Sequence, residues 1–327
     1  MASSFVSSLV SHGVYKCYAE DLFKAIREQA PAWQADGQDR IIEADTSSDI
    51  CYPVEYHAGS GRVFVHLFDQ ARIASGSDGE VSKSFAYPSG EPLAHKVAFD
   101  LQSEVANCRI FEGNPHIIQI VHVGQKGVLF EYMNGGSLTQ FAKQLPTIQK
   151  VAVVKQLLQA VAVIHAKGVV HRDLRPANIL CKTDANGAIT IKVADFACAV
   201  TSGQRNHIQG HLSYRSERLL QCSIHEVYDR VNHYVPCPQD DLWAVGVTIY
   251  ELAHGKQPPF CEIISDLFRK NLTKPEMDEA LTALQKEIAI FTDQTLEKSG
   301  LDTIIYALLT GKASSAAELI TNPLFEA

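Results

Sequence analysis

The sequence lacks the features that mark nucleic-acid binders and membrane-spanning proteins. It has no excess of basic residues, because 29 lysines and arginines stand against 37 acidic residues and the net charge is −8. This balance argues against binding to nucleic acid or to an anionic membrane. The most apolar stretch, residues 242–252, contains polar side chains and is too short to span a bilayer. We therefore expect no nucleic-acid partner and no membrane span.

Two further absences concern the cellular compartment. The eight cysteines are scattered, so we expect no disulfide framework of the kind found in small secreted domains. The first ten residues lack the basic head that precedes the apolar core of a secretory signal. We predict a reducing compartment, which is the cytoplasm of the protein's own cell or of a host cell if the protein is a secreted effector.

What is present is an ordinary globular composition, with 46% hydrophobic and 20% charged residues among 327. Residues 3–33 read as helical, residues 35–49 as a polar loop and residues 51–68 as a β-hairpin with a glycine-containing turn. Short strands follow from residue 70, and the chain beyond Gly135 is mainly helical. A strand-rich part followed by a helix-rich part predicts an α+β chain of two lobes.

A glycine-containing turn lies between two of the predicted strands. Gly76 and Gly79 would let backbone N–H groups approach phosphates closely, although an ordinary hairpin turn explains two glycines equally well. Lys96 lies on a predicted strand fifteen residues after Val81 and could reach back to the same phosphates. Together these residues predict a phosphate-binding loop.

The most specific motif is residues 171–180, which read His-Arg-Asp-Leu-Arg-Pro-Ala-Asn-Ile-Leu. Asp173 can orient or accept the proton of an attacking hydroxyl, and Asn178 offers a neutral oxygen to a metal ion. Arg175 supplies positive charge near a moving phosphoryl group, and Asp195 adds a carboxylate for Mg²⁺. Phosphoryl transfer needs mainly positioning and charge neutralisation, so this set predicts that reaction. An unrelated charged loop is the alternative.

Residues 70–327 resemble the eukaryotic-type protein kinase family. The motifs that carry the resemblance are the glycine loop at residues 74–81, the segment just described, Asp-Phe-Ala at 195–197 and Asp-Leu-Trp at 241–243. The resemblance implies the bilobal protein kinase fold, with a β-rich small lobe containing one main helix and a larger helical lobe. The implied divisions are an extension at 1–69, a small lobe at about 70–131, a hinge at 132–136 and a large lobe at 137–327.

The resemblance also implies ATP and Mg²⁺ as cofactors and a protein as the substrate. Lys96 would hold the phosphates, with Glu104 on the following helix as its ion-pair partner. The implied catalytic residues are Asp173, Lys96, Glu104, Arg175, Asn178 and Asp195, of which Asn178 and Asp195 would bind the metal. The implied nucleotide contacts are Gly76, Gly79, Val81, Ala94, Lys96, Glu131, Met133 and Leu180. Cys108, Phe196 and His171 would stack as the family's regulatory spine.

Three departures from the family pattern stand out. Ala197 replaces the glycine of Asp-Phe-Gly, which fits only if its φ is negative. Residues 216–218, Ser-Glu-Arg, replace Ala-Pro-Glu, and the arginine that usually pairs with that glutamate aligns with Ala313. Both partners are altered together, so we predict that one buried ion pair is lost. The stretch between Ser216 and Asp241 is also longer than usual.

The longer stretch raises a question of metal binding. Four of its side chains have a spacing that could ligate zinc, namely Cys222, His225, His233 and Cys237. A loop that happens to be rich in these residue types is the alternative.

The segment after Asp195 raises a question of regulation. Arg172, beside Asp173, could bind a phosphate carried by Thr201, Ser202 or Ser213. The segment is short, so constitutive activity without a phosphate is the alternative.

Three functions follow from these residues. The first is a protein kinase that transfers the γ-phosphoryl group of ATP to a serine or threonine hydroxyl. Arg175 with Pro176 resembles the Lys-Pro pair of serine/threonine kinases. The second is a non-catalytic kinase-like scaffold, favoured by the altered glycine loop, by Ala197 and by the altered closing motif. The third is a kinase fold that transfers another group, such as a nucleotidyl group. The oligomeric state is not predicted.

Overall fold

The computed structural model describes residues 2–12, 14, 16–44, 52–76, 79–125, 127–231 and 234–326. The chain forms two compact units. The first comprises residues 1–105 and 119–132, and the second comprises residues 106–118 and 133–327. The first is built around a β-sheet and the second is mainly helical. This confirms the predicted α+β class and the two-lobed fold.

The first unit contains a seven-stranded antiparallel sheet with the strand order β1-β2-β3-β4-β5-β7-β6. Its helices and strands are α1 (Ala2–Ser11), α2 (Lys16–Asp36), β1 (Arg40–Ala44), β2 (Tyr52–His57), β3 (Arg62–Gly76), β4 (Gly79–Tyr87), β5 (Glu91–Val97), α3 (Gln102–Arg109, which continues into the second unit), β6 (Ile120–Val123) and β7 (Val128–Glu131).

The N-terminal part follows the predicted pattern with two differences. The hairpin is present as β2 and β3, but β3 continues without a break past residue 69, where we place the domain boundary. That boundary stays a prediction. The polar loop predicted at residues 35–49 is wrong for its described part, because β1 pairs along the edge of β2. Pairing with the next strand along the chain satisfies the backbone of this polar segment.

The helices of the extension pack on the sheet. Phe5, Leu22 and Trp33 are buried in one cluster with Val65 and Phe85 of the sheet. Each fully buried large apolar side chain contributes about 1.5–3 kcal/mol to stability. The Ser8 hydroxyl also donates to the Gly90 carbonyl across 2.6 Å, which fixes α1 on the β4–β5 turn. These contacts make α1 and α2 part of the packed core of the first unit.

The second unit is organised around a buried helix, α7, which packs against α5 and α10. Its helices and strands are β8 (Gly136–Ser137), α4 (Leu138–Phe141), α5 (Thr147–Ala166), β9 (Val169–Val170), β10 (Ile179–Thr183), β11 (Ile189–Val193), β12 (Val200–Thr201), α6 (Glu217–Ile224), α7 (Pro238–His254), α8 (Pro259–Arg269), α9 (Lys274–Gln294), α10 (Gly300–Leu309) and α11 (Ala316–Ile320).

Among the described residues, one helix is long and apolar enough by length and composition to cross a membrane, and that helix is α5. Seven of its residues are buried within the second unit, as in the core helix of a globular domain. A buried core helix passes the same test, so α5 is weak evidence for a membrane span.

Candidate active site

The lysine of the first unit is held by a buried ion pair. Lys96 on β5 lies directly across from Val81 on β4. Its Nζ is 2.8 Å from Oε2 of Glu104, which lies in the first turn of α3. The two residues are only 7% and 3% exposed, so the pair is shielded from solvent and its geometry is restrained. The ion pair that the resemblance implied is therefore present, and its role toward a phosphate stays a prediction.

The glycine loop is described on both sides of its tip, and residues 77 and 78 lie outside the described residues. Gly76 and Gly79 face each other as the last pair of the β3–β4 ladder. Gly79 has a φ of +116°, and a Cβ there would lie 2.4 Å from the Val97 carbonyl oxygen. Only glycine fits this position, which agrees with a loop in which the backbone approaches a ligand closely. The phosphate contact itself stays a prediction.

The remaining nucleotide candidates fall at defined places within each unit. In the first unit, Val81 and Ala94 are half-buried on β4 and β5, and Glu131 ends β7. The Glu131 carboxylate accepts a hydrogen bond from the Gln119 backbone across 2.9 Å. In the second unit, Met133 is buried and Leu180 is half-buried on β10. Their contact with adenine stays a prediction.

The carboxylate of Asp173 is oriented by three donors within the second unit. Its Oδ2 accepts from Asn178 Nδ2 across 2.6 Å and from Arg175 Nε across 3.1 Å. Its Oδ1 accepts from the His211 backbone N–H across 2.8 Å. Asp173 is 8% exposed. The three donors restrict its rotation, which a residue that orients a substrate hydroxyl requires.

The loop that carries Asp173 is anchored on the buried helix α7. The carboxylate of Asp241, which is 1% exposed, accepts from the backbone N–H groups of His171 and Arg172, each across 2.8 Å. It is also 3.0 Å from His165 Nε2. Arg172 has a φ of +70°, so the loop bends sharply just before Asp173. A buried carboxylate with three donors holds that strained bend in place.

The two candidate metal ligands lie at the open end of one hairpin. Ile179 on β10 pairs with Val193 on β11, and the Ala194 N–H donates to the Asn178 carbonyl across 2.9 Å. Asn178 and Asp195 therefore flank the same end of the hairpin. The amide nitrogen of Asn178 donates to Asp173, which leaves Oδ1 as the amide atom suited to a cation. An amide oxygen and a carboxylate are ligands that fit Mg²⁺.

Comparison with known proteins agrees with this geometry. Residues 69–322 match the family described as "Protein kinase domain". The chain belongs to the protein kinase family. The kinase is 31% identical over 156 residues to the phosphorylase b kinase gamma catalytic chain, liver/testis isoform, of Mus musculus, covering 45% of this chain and 36% of that protein. The human counterpart gives the same identity and coverage.

A further relative is the probable cAMP-dependent protein kinase catalytic subunit of Encephalitozoon cuniculi. It is 28% identical over 185 residues, which cover 54% of this chain and 52% of that protein. The matches therefore span between about a third and about a half of the length of these relatives.

Two of the three residues that the resemblance assigns to the regulatory spine are in contact within the second unit, and the spine itself stays a prediction. The rings of His171 and Phe196 meet edge to face with centroids 4.7 Å apart, and Phe111 packs on Phe196 at 5.4 Å. Cys108 is buried. Ala197 lies in a 3-10 turn, and the described non-glycine residues with positive φ do not include it. Alanine is therefore compatible with this backbone position.

The closing segment holds a different ion pair from the one predicted to be lost, because the two aligned positions carry Arg218 and Ala313. Arg218 donates from Nε to Oδ1 of Asp240 across 3.2 Å, and its Nη2 bonds the other carboxylate oxygen. Asp240 is 3% exposed and Ala313 is 4% exposed. Arg218 has the opposite charge to the family's glutamate at the aligned position, and its partner Asp240 lies in the first turn of α7, so the buried carboxylate of Asp240 is compensated.

The same arginine bears on the zinc hypothesis. Arg218 Nη2 lies 3.2 Å from Sγ of Cys237. Burial raises the pKa of the Cys222 and Cys237 thiols. The described residues hold no group of three or more His, Cys, Asp or Glu side chains suited to a metal, and His233 lies outside them. A loop without zinc is the interpretation that these observations favour.

One residue beside Asp173 escaped the sequence analysis. His211 donates its backbone N–H to Asp173 from 38 residues further along the chain, and its ring packs edge to face on Tyr214. Burial, followed by the charge of Arg175, lowers the pKa of His211, so its imidazole is neutral at neutral pH. No spacing rule within the sequence links residue 211 to Asp173, because the contact is formed by the backbone.

Proposed function

We propose that this kinase transfers the γ-phosphoryl group of ATP, with Mg²⁺, to a serine or threonine hydroxyl of a protein. The observation that carries the proposal is the environment of Asp173, in which three donors fix the carboxylate beside the Asn178 amide and the Arg175 guanidinium. The family membership supports a kinase reaction on a protein substrate.

Each residue then has a defined task. Asp173 orients the acceptor hydroxyl and accepts its proton. Arg175, whose guanidinium contacts Asp173, stabilises the charge that moves with the phosphoryl group. Lys96, restrained by Glu104, binds the α- and β-phosphates. Asn178 and Asp195 hold Mg²⁺, which neutralises phosphate charge when bound.

Serine or threonine as the acceptor is supported by two observations. The first is the Arg175-Pro176 pair, which resembles the Lys-Pro of serine/threonine kinases. The second is the pair of relatives named phosphorylase b kinase and cAMP-dependent protein kinase. We also propose a reducing compartment such as the cytoplasm, since the thiols of Cys181 and Cys261 are buried and form no disulfide.

The alternative is a kinase-like scaffold that binds nucleotide without transferring phosphate. The observation that favours it is Ala74, which stands where the family has the first glycine of the loop. The buried Lys96–Glu104 pair argues for the active enzyme, because a scaffold has no need to keep two buried charges in register.

The test is incubation of the purified kinase with Mg²⁺, labelled ATP and a generic protein substrate, followed by phosphoamino-acid analysis and mass spectrometry of the product. The proposal predicts label on serine or threonine and a mass gain of one phosphoryl group. Label on tyrosine, or the mass gain of AMP, would contradict it. No label at all would favour the scaffold.

A matched pair of variants separates the kinase from a contaminating activity. Asp173→Asn removes the base, whereas Asp184→Asn makes the same change at an exposed turn between β10 and β11. Transfer should disappear in the first variant and persist in the second.

A further inference from the structure

Arg172 is committed to the segment that follows Asp195. Its Nε donates to the Cys198 carbonyl across 2.5 Å, and its Nη1 donates to the His207 carbonyl across 2.7 Å. Its remaining bonds reach the side-chain oxygens of Asn206 at 3.2 Å and Gln209 at 2.9 Å. Four of the five guanidinium N–H groups are thus used on neutral acceptors of the kinase itself.

The segment that follows Asp195 has no acidic side chain that could pair with Arg172. Residues 196–216, which we name the activation segment, contain no aspartate or glutamate. Its hydroxyl side chains before Tyr214 are Thr201, Ser202 and Ser213. Arg172 is therefore satisfied by carbonyl and amide oxygens, where a phosphorylated segment would offer phosphate oxygens.

The three hydroxyl residues are placed away from Arg172. Ser213 is buried and its hydroxyl is 3.0 Å from that of Ser265. Thr201 lies in β12, where it pairs with Val169 of β9. The Ser202 hydroxyl donates to the Pro236 carbonyl across 3.3 Å. Within the described residues, the hydrogen bonds of Arg172 go to residues 198, 206, 207 and 209 and not to these hydroxyls.

A second set of contacts comes from the longer stretch before α7. We name residues 234–237 the return segment. The Asn206 N–H donates to the Tyr234 carbonyl across 3.1 Å, and the Gly203 N–H donates to the Pro236 carbonyl across 3.3 Å. Tyr234 is 1% exposed, and the Arg218 guanidinium lies 5.5 Å from the centroid of its ring. The return segment is therefore itself fixed, and it can hold the activation segment.

The far end of the activation segment reaches Asp173. Gly210 has a φ of +83°, and a Cβ there would lie 2.0 Å from the Arg172 carbonyl oxygen, so the two loops touch at this point. Arg215 Nη2 donates to the Gly210 carbonyl across 3.1 Å. The next residue, His211, donates its N–H to Asp173. A shift of the activation segment would therefore also move the N–H donor that orients the Asp173 carboxylate.

We propose that Arg172 and the return segment are positioning elements that hold the activation segment in its substrate-accepting form without phosphorylation. The inference rests on the proposed kinase function. It assigns a role to the longer stretch before α7. It also favours constitutive activity over activation by a phosphate bound to Arg172.

We name the contacts of the activation segment with Arg172 and the return segment the clamp. The first test measures how firmly the clamp holds the activation segment, without relying on catalysis. The full-length kinase is treated with phosphatase, shown by mass spectrometry to carry no phosphate and analysed by amide hydrogen exchange. Slow exchange is expected across residues 203–209. The double variant Asn206→Ala/Gln209→Ala, which leaves the catalytic loop intact, should exchange there about tenfold faster or more. Arg205→Ala, an exposed arginine on the same segment, is the control and should exchange like the wild type.

The second test measures phosphoryl transfer by the same proteins. Phosphatase treatment should leave the wild-type rate unchanged, and the double variant should show a raised KM for the protein substrate with the KM for ATP unchanged. A wild type that loses activity with its phosphate and regains it on rephosphorylation would overturn the inference, as would fast exchange in the unphosphorylated wild type. If neither form transfers phosphate while exchange stays slow, the clamp stands and the proposed function fails.

Discussion

Two regions depart from the protein kinase pattern to different degrees. One is the catalytic loop, residues 171–178, and the other is the activation and closing segment, residues 196–218. The catalytic loop keeps the acidic, amide and basic side chains that the reaction needs. The later segment has an altered closing motif, yet its arginine at residue 218 finds a new partner in Asp240. Side chains that would act on a phosphoryl group can be replaced by few other residue types. Side chains that only hold the backbone in place can be replaced by many.

The largest effect should come from Asp195, the candidate carboxylate ligand for Mg²⁺, which lies between the catalytic loop and the activation segment. Asp195→Asn removes the charged ligand proposed for Mg²⁺, so kcat/KM should fall by roughly 10²–10³-fold while the fold persists. Initial rates at several Mg²⁺ concentrations, with circular dichroism as the folding control, measure this. A variant as active as the wild type would place Asp195 outside the chemistry.

The next effect distinguishes catalysis from stability at one pair. Lys96→Met leaves the Glu104 carboxylate buried without its cation, which should cost about 3–5 kcal/mol of unfolding free energy and abolish most activity. Lys96→Met/Glu104→Gln should recover much of the stability and none of the activity. Urea unfolding and rate measurements on the same samples give both quantities. Recovery of activity in the double variant would contradict the proposed phosphate role of Lys96.

A smaller effect is expected in the closing segment. Arg218→Ala removes the cation beside the buried Asp240, which keeps hydrogen bonds from Tyr234 and the Cys237 N–H. The arginine side chain is also 44% exposed, so we expect a loss of only about 1–2 kcal/mol. Arg218→Ala/Asp240→Asn should be less destabilised than the sum of the single variants. Additive losses in a double-mutant cycle would show that the pair does not replace the missing one.

A further effect, on the pH dependence of stability, lies in the first unit and provides a baseline outside both segments. Burial, followed by the charge of His66, lowers the pKa of His95 to about 3. Below about pH 6.5, His95 is protonated in the unfolded chain but stays neutral in the folded protein. The free energy of unfolding therefore falls as pH drops from 6.5 toward 3, by about 1.4 kcal/mol per pH unit. His95→Gln should flatten this slope in urea unfolding measured between pH 7 and pH 5. An unchanged slope would show that His95 is charged in the folded state.

Sequence reasoning found the features that local chemistry dictates. The hairpin of β2 and β3 follows from residue types and spacing, and the Lys96–Glu104 pair follows from the resemblance to protein kinases. It missed β1, the Arg218–Asp240 pair and the His211 contact. The Arg218–Asp240 pair and the His211 contact depend on which distant side chain or backbone the fold brings alongside, and no periodicity within a window encodes that. The strand β1 pairs with its neighbour β2 and was missed because the stretch around it reads as polar.

The most direct test of the central claim is a paired measurement on the wild type and Asp173→Asn. The affinity for ATP and the rate of phosphoryl transfer should both be determined in the presence of Mg²⁺. We predict an unchanged Kd for ATP and a rate reduced by roughly 10²–10⁴-fold, because Asp173 acts on the hydroxyl and not on the nucleotide. Equal transfer rates in the two proteins would contradict the account.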